Sequence, residues 1–199
     1  MSESQTVPAF VEGSIMECKI IYFESPGKAN TRATLEAVRE RVRELGIRTV
    51  VVASTHGDTA RQALDVFRRE GARLIVVTDS AGYTAEGWTM DDATRHELEG
   101  AGARVLTCSH ALGDDVSGAL GASTPNAVVA QTLYRFSQGM KVSVEIVLMA
   151  ADAGLVQAGE EVAAVAGTEE GADTAIIVRA TYPRKFGELK IREILAMSR

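Results

Sequence analysis

Residues 50–60 read Val50-Val51-Val52-Ala53-Ser54-Thr55-His56-Gly57-Asp58-Thr59-Ala60. The part from Thr49 to Ala53 is rich in β-branched residues and shows no apolar–polar alternation, which is typical of a strand covered on both faces. A short polar turn follows, and a helical pattern begins near Ala60. A buried strand that passes through a turn into a helix is the unit of a parallel sheet flanked by helices. The segment therefore predicts an α/β fold.

The polar turn between this strand and its helix has the composition of an anion site. Gly57 permits a sharp turn and a close approach of the backbone, and Asp58 or Thr59 is expected to cap the helix. The amides of the first helical turn and the helix dipole attract negative charge, and the hydroxyls of Ser54, Thr55 and Thr59 add donors. We expect a phosphate group here; an ordinary capped connection is the alternative. The turn matches neither a Walker loop nor the dinucleotide-binding glycine pattern.

The composition is that of a folded domain with one core, since 46% of the 199 residues are hydrophobic and 24% are charged. The net charge of −6 argues against a nucleic-acid partner. No stretch is long and apolar enough to cross a bilayer, so we expect no membrane partner. Residues 1–13 lack the charged start and apolar run of a secretion signal, so we expect a cytoplasmic protein.

Cysteine usage agrees with that compartment. Cys18 and Cys108 form neither a metal-binding spacing nor a CxxC pair, and both lie in strand-like apolar runs. We therefore expect two buried thiols and no metal site. Residues 1–14 are polar and show no periodicity, so we interpret them as a flexible arm. Residues 15–199 are interpreted as a single domain.

The order of strand, polar loop and helix occurs three times. Glu17 to Glu24 is predicted as a first strand, and Asn30 or Thr31 is expected to cap the helix after it. Arg73 to Thr78 is the third strand of this kind. In an open parallel sheet, ligands bind at the carboxyl ends of the strands. We therefore expect the strand ends at Glu24, Ala53 and Thr78 to face one crevice, and Asn30 and Thr31 become further candidates for ligand contact.

The middle of the chain offers three features whose roles stay open. Trp88 lies in a long connection, and it either forms a flap over the crevice or packs on the body of the protein. His110 stands at a strand end, where a structural role and a ligand contact are both reasonable. The glycine-rich stretch 111–124 is interpreted as a lid or as a contact between subunits of a homo-oligomer.

The later part of the chain contains one ambiguous segment. Val142, Val144 and Ile146 alternate like a strand, but residues 141–153 also show helical spacing before Gly154, and we predict a helix. Glu145 and Asp152 then share one helical face. They either perform acid–base chemistry, or Glu145 simply pairs with Lys141.

Two strands, Glu161 to Ala166 and Ala172 to Arg179, flank a short turn that suits a hairpin or an edge crossing. The whole pattern predicts a three-layer α/β/α sandwich with a mostly parallel sheet.

Several segments resemble the C-terminal α/β domain of pyruvate kinase, and more closely a family of stand-alone domains of this type from archaea and some bacteria. The segments are Phe23-Glu24-Ser25-Pro26-Gly27-Lys28, Gly57-Asp58-Thr59-Ala60, Ser109-His110, Val144-Glu145-Ile146, Met149 to Gly154 and Gly171 to Ala175. Their order and spacing cover about residues 18–199. The glycine-rich stretch 111–124 departs from the family pattern.

The resemblance implies a pyruvate-kinase-C-terminal-like fold and a bound phosphate, for which flavin mononucleotide (FMN) is the expected cofactor. Carried over to this chain, the phosphate contacts Ser54, Thr55, Gly57, Asp58 and Thr59, and its neighbours are Asn30, Thr31, Thr78 and Gly167. The family lacks the barrel domain that transfers the phosphoryl group, so we expect no pyruvate kinase activity.

Three functions are compatible with the sequence, and whether the chain is an enzyme is left open. The first is binding of a small phosphorylated ligand, FMN above all. The second is a regulatory module that senses a sugar phosphate without catalysis. The third is a hydrolase or transferase that uses His110 with Glu145 or Asp152, and we rank it last.

Overall fold

The computed structural model describes residues 15–113, 116, 119–121 and 124–199. The arm proposed for residues 1–14 and part of the glycine-rich stretch lie outside these residues. The strands are β1 Ile21–Phe23, β2 Thr49–Ala53, β3 Arg73–Val77, β4 Arg104–Leu106, β5 Glu161–Ala166, β6 Thr174–Arg179 and β7 Lys190–Ser198. The α-helices are α1 Thr31–Leu45, α2 Asp58–Phe67, α3 Asp92–Gly100, α4 Pro125–Leu133 and α5 Gln138–Asp152.

The strands form one sheet in the order β1-β7-β6-β5-β2-β3-β4. Within the described ranges, β6 alone runs against the others, because it pairs antiparallel with both β5 and β7 while every other pair is parallel. The connection between β5 and β6 is thus a hairpin rather than a crossing. All the parallel strands end at the same edge of the sheet, where open α/β sheets bind their ligands.

Two cores lie on opposite faces of the sheet, which makes the fold a three-layer sandwich. Val50 and Val52 belong to the core that includes residues of α1, α2 and α3 on one face, whereas Val51 belongs to the core that includes α5 on the other. All three side chains are fully buried. Burial on both faces removes any need for polar alternation along β2, and the fold class predicted from this segment is confirmed.

The segment 141–153 is helical, as predicted, within α5. Most of this helix is buried, because it packs across β2, β5 and β6 on one side and α4 on the other. A helix that is apolar around most of its surface loses its periodicity, and this explains the strand-like alternation of the sequence.

The predicted first strand is wrong in extent, since Glu17 to Glu24 contributes only β1 to the sheet. The residues before Ile21 are exposed and unpaired with any described strand, and β1 is an edge strand whose single neighbour is β7. The expectation of two buried thiols is also wrong: Cys18 is exposed and Cys108 is half-buried.

In the parts of the chain that the structure covers, no helix combines the length and the apolar character needed to cross a bilayer.

Candidate functional site

A cleft of about 1060 Å³ lies at the carboxyl edge of the parallel strands. Most of the site residues predicted from the sequence line it: Thr31, Ser54, Thr55, Asp58, Thr59, Thr78 and Gly167. Asn30 and Gly57 do not. Asn30 donates its side-chain amide to the Ser25 carbonyl oxygen at 2.7 Å, and Gly57 is buried beneath the turn.

The turn between β2 and α2 differs from the expected capping. The helix begins at Asp58, and neither Asp58 nor Thr59 caps it. Ser54 Oγ instead accepts from the Ala60 amide at 3.3 Å. None of the hydrogen bonds formed among the described residues uses the amides of Asp58 or Thr59. The first turn of α2 therefore keeps donors at the cleft, together with the positive end of its dipole.

Gly57 gives this turn its shape. Its φ of 93° is left-handed, and a Cβ placed on it would lie 2.5 Å from Thr94 Cγ2. Only glycine combines that conformation with such close packing against α3. Gly57 thus supports the turn from behind and lies outside the lining of the cleft.

The hydroxyls of two predicted site residues, the donor Thr55 and its expected neighbour Thr78, already bind other side chains. Thr55 Oγ1 donates to Asp79 Oδ2 at 2.5 Å, and Thr78 Oγ1 lies 2.6 Å from Thr107 Oγ1. Thr59 is 5% exposed and lies at the start of α2. The hydroxyls of Ser54 and Thr59 donate in none of the hydrogen bonds found among the described residues, so they are the predicted donors still available to a ligand.

Acidic side chains outnumber basic ones in the lining. The acidic residues are Asp58, Asp79, Glu145, Glu169 and Glu170, and the basic residues are Lys28, Arg61 and Lys141. Each of the three basic groups is paired. Lys28 binds Glu170 at 2.8 Å, Arg61 binds Glu97 at 2.8 Å, and Lys141 binds Glu145. An anion here therefore depends on amides and hydroxyls unless a pair opens. The Lys28–Glu170 pair is the most exposed of the three, and exposed pairs are weak.

Asp79 and His110 form a second polar cluster, and Asp79 is not among the candidates taken from the sequence. His110 Nε2 lies 3.6 Å from Asp79 Oδ1. Burial alone raises the pKa of Asp79, but the hydrogen bonds from His110 and Thr55 outweigh it, and the pKa falls below its ordinary value. Asp79 is therefore ionised at neutral pH. Asp79 directly follows the predicted contact Thr78. Its position at the end of a predicted strand could have identified it as a site candidate from the sequence alone.

Three rings, those of Tyr83, Trp88 and His110, also line the cleft. Tyr83 stacks on His110 at a centroid distance of 5.6 Å and on Trp88 at 5.8 Å. His56 donates Nε2–H to the Gly87 carbonyl oxygen at 2.8 Å, and this bond ties the turn before α2 to the connection that carries Trp88. Trp88 thus packs on Tyr83 and also borders the cleft, whereas its role as a flap stays a prediction.

The pair on α5 is structural. Glu145 and Lys141 are both buried and form an ion pair, as the simpler alternative predicted, and Glu145 Oε1 also accepts from the Leu112 amide at 2.8 Å. Asp152 is exposed at the far end of the helix and does not line the cleft. The proposed carboxylate partnership of Glu145 and Asp152 is wrong, because Asp152 lies outside the cleft that Glu145 lines.

A buried carboxylate organises the end of the cleft near α1. Asp173 is fully buried and accepts from the amides of Gly27 at 3.0 Å and Thr168 at 3.1 Å. A Cβ on Gly171 would lie 2.4 Å from Lys28 Cα, so the two loops touch. These contacts bring Thr31 and Gly167 to one cleft, although β1 and β5 are separated in the sheet.

The described part of the chain contains no cluster of three metal-ligating side chains.

One family model and several solved structures are similar to this chain, and the family model agrees with the architecture. The family model for the pyruvate kinase alpha/beta domain matches residues 32–178. Among solved structures, a pyruvate kinase of Cryptosporidium parvum matches 76% of this chain at 14% identity with a TM-score of 0.41. The same species' pyruvate kinase in complex with ADP matches at 15% identity with a TM-score of 0.39. The matches cover only 23% and 24% of those longer chains. Because the family model spans most of the sequence, this chain belongs to the pyruvate kinase alpha/beta domain family.

Proposed function

We propose that this chain binds a small phosphorylated molecule in the cleft, with the phosphate group at the first turn of α2. FMN is the ligand we expect first, and a sugar phosphate sensed without catalysis is the alternative. The observation that carries the proposal is the pair of unused amides at Asp58 and Thr59, which border a large cleft at the positive end of a helix. The proposal concerns binding and assigns no reaction.

The surrounding residues have distinct parts in this proposal. Ser54 and Thr59 supply hydroxyls, and Gly57 shapes the turn that presents the amides of Asp58 and Thr59. Thr55 and Thr78 line the cleft beside this turn, and the Thr55 hydroxyl already donates to Asp79. On the other side of the cleft, Thr31 and Gly167 form the wall, and Asn30 supports the loop behind it.

A hydrolase or transferase built on His110 and Glu145 has less support. Both carboxylate oxygens of Glu145 have partners, one in Lys141 and one in the Leu112 amide. A carboxylate held in this way is poorly placed to accept a proton from a substrate.

Ligand-dependent thermal stability tests the proposal. FMN, ribose 5-phosphate and inorganic phosphate are added separately to the purified chain, and the unfolding midpoint is measured over a range of concentrations. A ligand at one hundred times its dissociation constant stabilises the native state by about 2.7 kcal/mol. We expect FMN to raise the midpoint most. No shift with any of the three compounds would contradict the proposal.

The substitution Thr59→Val identifies the site. It keeps the volume of the side chain and removes a hydroxyl that faces the phosphate. A hydrogen bond to a charged group contributes about 1.5–3 kcal/mol, so FMN should bind about tenfold more weakly or worse. Thr181→Val is the matched control, because Thr181 is also buried and follows β6 at the opposite edge of the sheet. Equal affinities of the two variants for FMN would show that the phosphate site does not include Thr59.

A further inference from the structure

The indole of Trp88 is an exposed aromatic surface that lies at the cleft. It is the only tryptophan in the sequence, it lines the cleft, and it is 52% exposed. Large aromatic side chains contribute much binding area when they are buried, so an exposed one at a cleft offers area to a ligand. Trp88 therefore offers apolar area that the described residues leave exposed.

The indole is held in position by its backbone and by its neighbours. The Trp88 amide donates to the Tyr83 carbonyl oxygen at 3.1 Å, and the Ser80 hydroxyl accepts from the Gly82 amide at 3.2 Å. The preceding residue, Gly87, accepts the bond from His56. A surface fixed in advance costs little ordering entropy when it binds a ligand.

The orientation of the rings defines what this surface can receive. The Tyr83 and Trp88 planes differ by 28°, and the Tyr83 and His110 planes by 20°. A flat ring binds such a stack most favourably when it lies on the face of the outer ring, here the face of Trp88 that is turned away from Tyr83. A sugar has no such plane, whereas a nucleobase or a flavin does.

The stack also lies next to the proposed phosphate turn. His56 belongs to that turn and contacts the residue before Trp88 at 2.8 Å. At the other end of the stack, His110 lies beside Asp79, which holds the Thr55 hydroxyl. One ligand that carries a phosphate at one end and a ring at the other can therefore contact both features.

We propose that the exposed face of Trp88 is a ring-binding subsite and that the ligand of this cleft is a phosphorylated planar heterocycle. The inference rests on the proposed function and deepens it, because it favours flavin or nucleotide chemistry over a sugar phosphate. FMN and adenosine monophosphate share this chemistry, and titration with each distinguishes them.

The test compares Trp88→Ala with wild type by calorimetric titration of FMN, adenosine monophosphate and ribose 5-phosphate. Loss of one stacked ring should weaken binding of the ring-bearing ligand about tenfold, while the affinity for ribose 5-phosphate should change less than about twofold. Trp88→Phe should recover most of the lost affinity. Phe136→Ala is the control, because Phe136 is similarly exposed at 53% and does not line the cleft.

Two results would overturn the inference in different ways. If FMN and adenosine monophosphate bind Trp88→Ala as tightly as wild type, the ring subsite is wrong and the phosphate site stands. The same conclusion follows if ribose 5-phosphate loses affinity as strongly as the ring-bearing ligands. If no phosphorylated compound binds the wild-type chain, the proposed function fails and the subsite fails with it.

Discussion

Gly57 shows at the scale of one residue how the turn before α2 is held. Its left-handed φ of 93° opens the backbone, and the space where a side chain would stand is filled by Thr94. The same residue therefore shapes the front of the turn and packs against α3 at its back. A substitution here changes stability as well as the proposed ligand site, so binding is better probed at Thr59.

We predict that Gly57→Ala destabilises the protein by about 1–2 kcal/mol from the left-handed backbone alone, with a further loss because Thr94 must move. Gly46→Ala is the matched comparison, since Gly46 has a φ of 67° and a Cβ placed on it would meet no atom within 4 Å. Urea unfolding measures the free energy of unfolding of both variants and of the wild type. A Gly57→Ala loss no greater than that of Gly46→Ala would show that the Thr94 contact is easily relieved.

At the scale of elements, the cleft depends on loops that meet only in the folded sheet. The turn between β5 and β6 reaches the loop before α1 through Asp173, and Lys28 closes the contact through Glu170. That ion pair is exposed on both sides, and Glu170 carries a lowered pKa because of its hydrogen bond to Lys28. Lys28 is therefore the cation most easily released toward a bound phosphate.

We predict that Glu170→Gln strengthens FMN binding several-fold, because it removes a negative charge from the cleft and frees Lys28. The gain should shrink at high salt, since the groups are exposed. Glu188→Gln is the control, as Glu188 forms a similar exposed pair with Lys185 and does not line the cleft. Calorimetry at low and high salt measures the effect. Weaker binding in Glu170→Gln would mean that the carboxylate itself contacts the ligand.

The same scale shows what the sequence could predict. The bounds of β2 and β5 were predicted correctly, because strands buried on both faces leave an uninterrupted apolar signal. The extent of β1 was predicted incorrectly, because its length depends on pairing with β7 at the other end of the chain. Asp79 and Tyr83 were missed as site residues, since their meeting with His110 follows from loop packing and leaves no local pattern.

At the scale of the whole molecule, the sheet places the cleft. Strand order puts β2 between β5 and β3, so the turns that follow these three strands converge. Two cores of similar extent hold the sheet from both faces and leave its carboxyl edge to the loops. The fold could be predicted from the pattern of strands and helices. The set of residues that lines the cleft could not, because it depends on side chains brought together across the sheet.

The central claim is that amides at the start of α2 bind a phosphoryl group, and amide NMR shifts of the labelled chain during titration with FMN and with inorganic phosphate test it most directly. We predict that the largest saturable shifts common to both titrations fall on Asp58 and Thr59, with smaller changes through residues 54–57. Shifts confined to other parts of the chain, with those amides unchanged at saturation, would contradict the account.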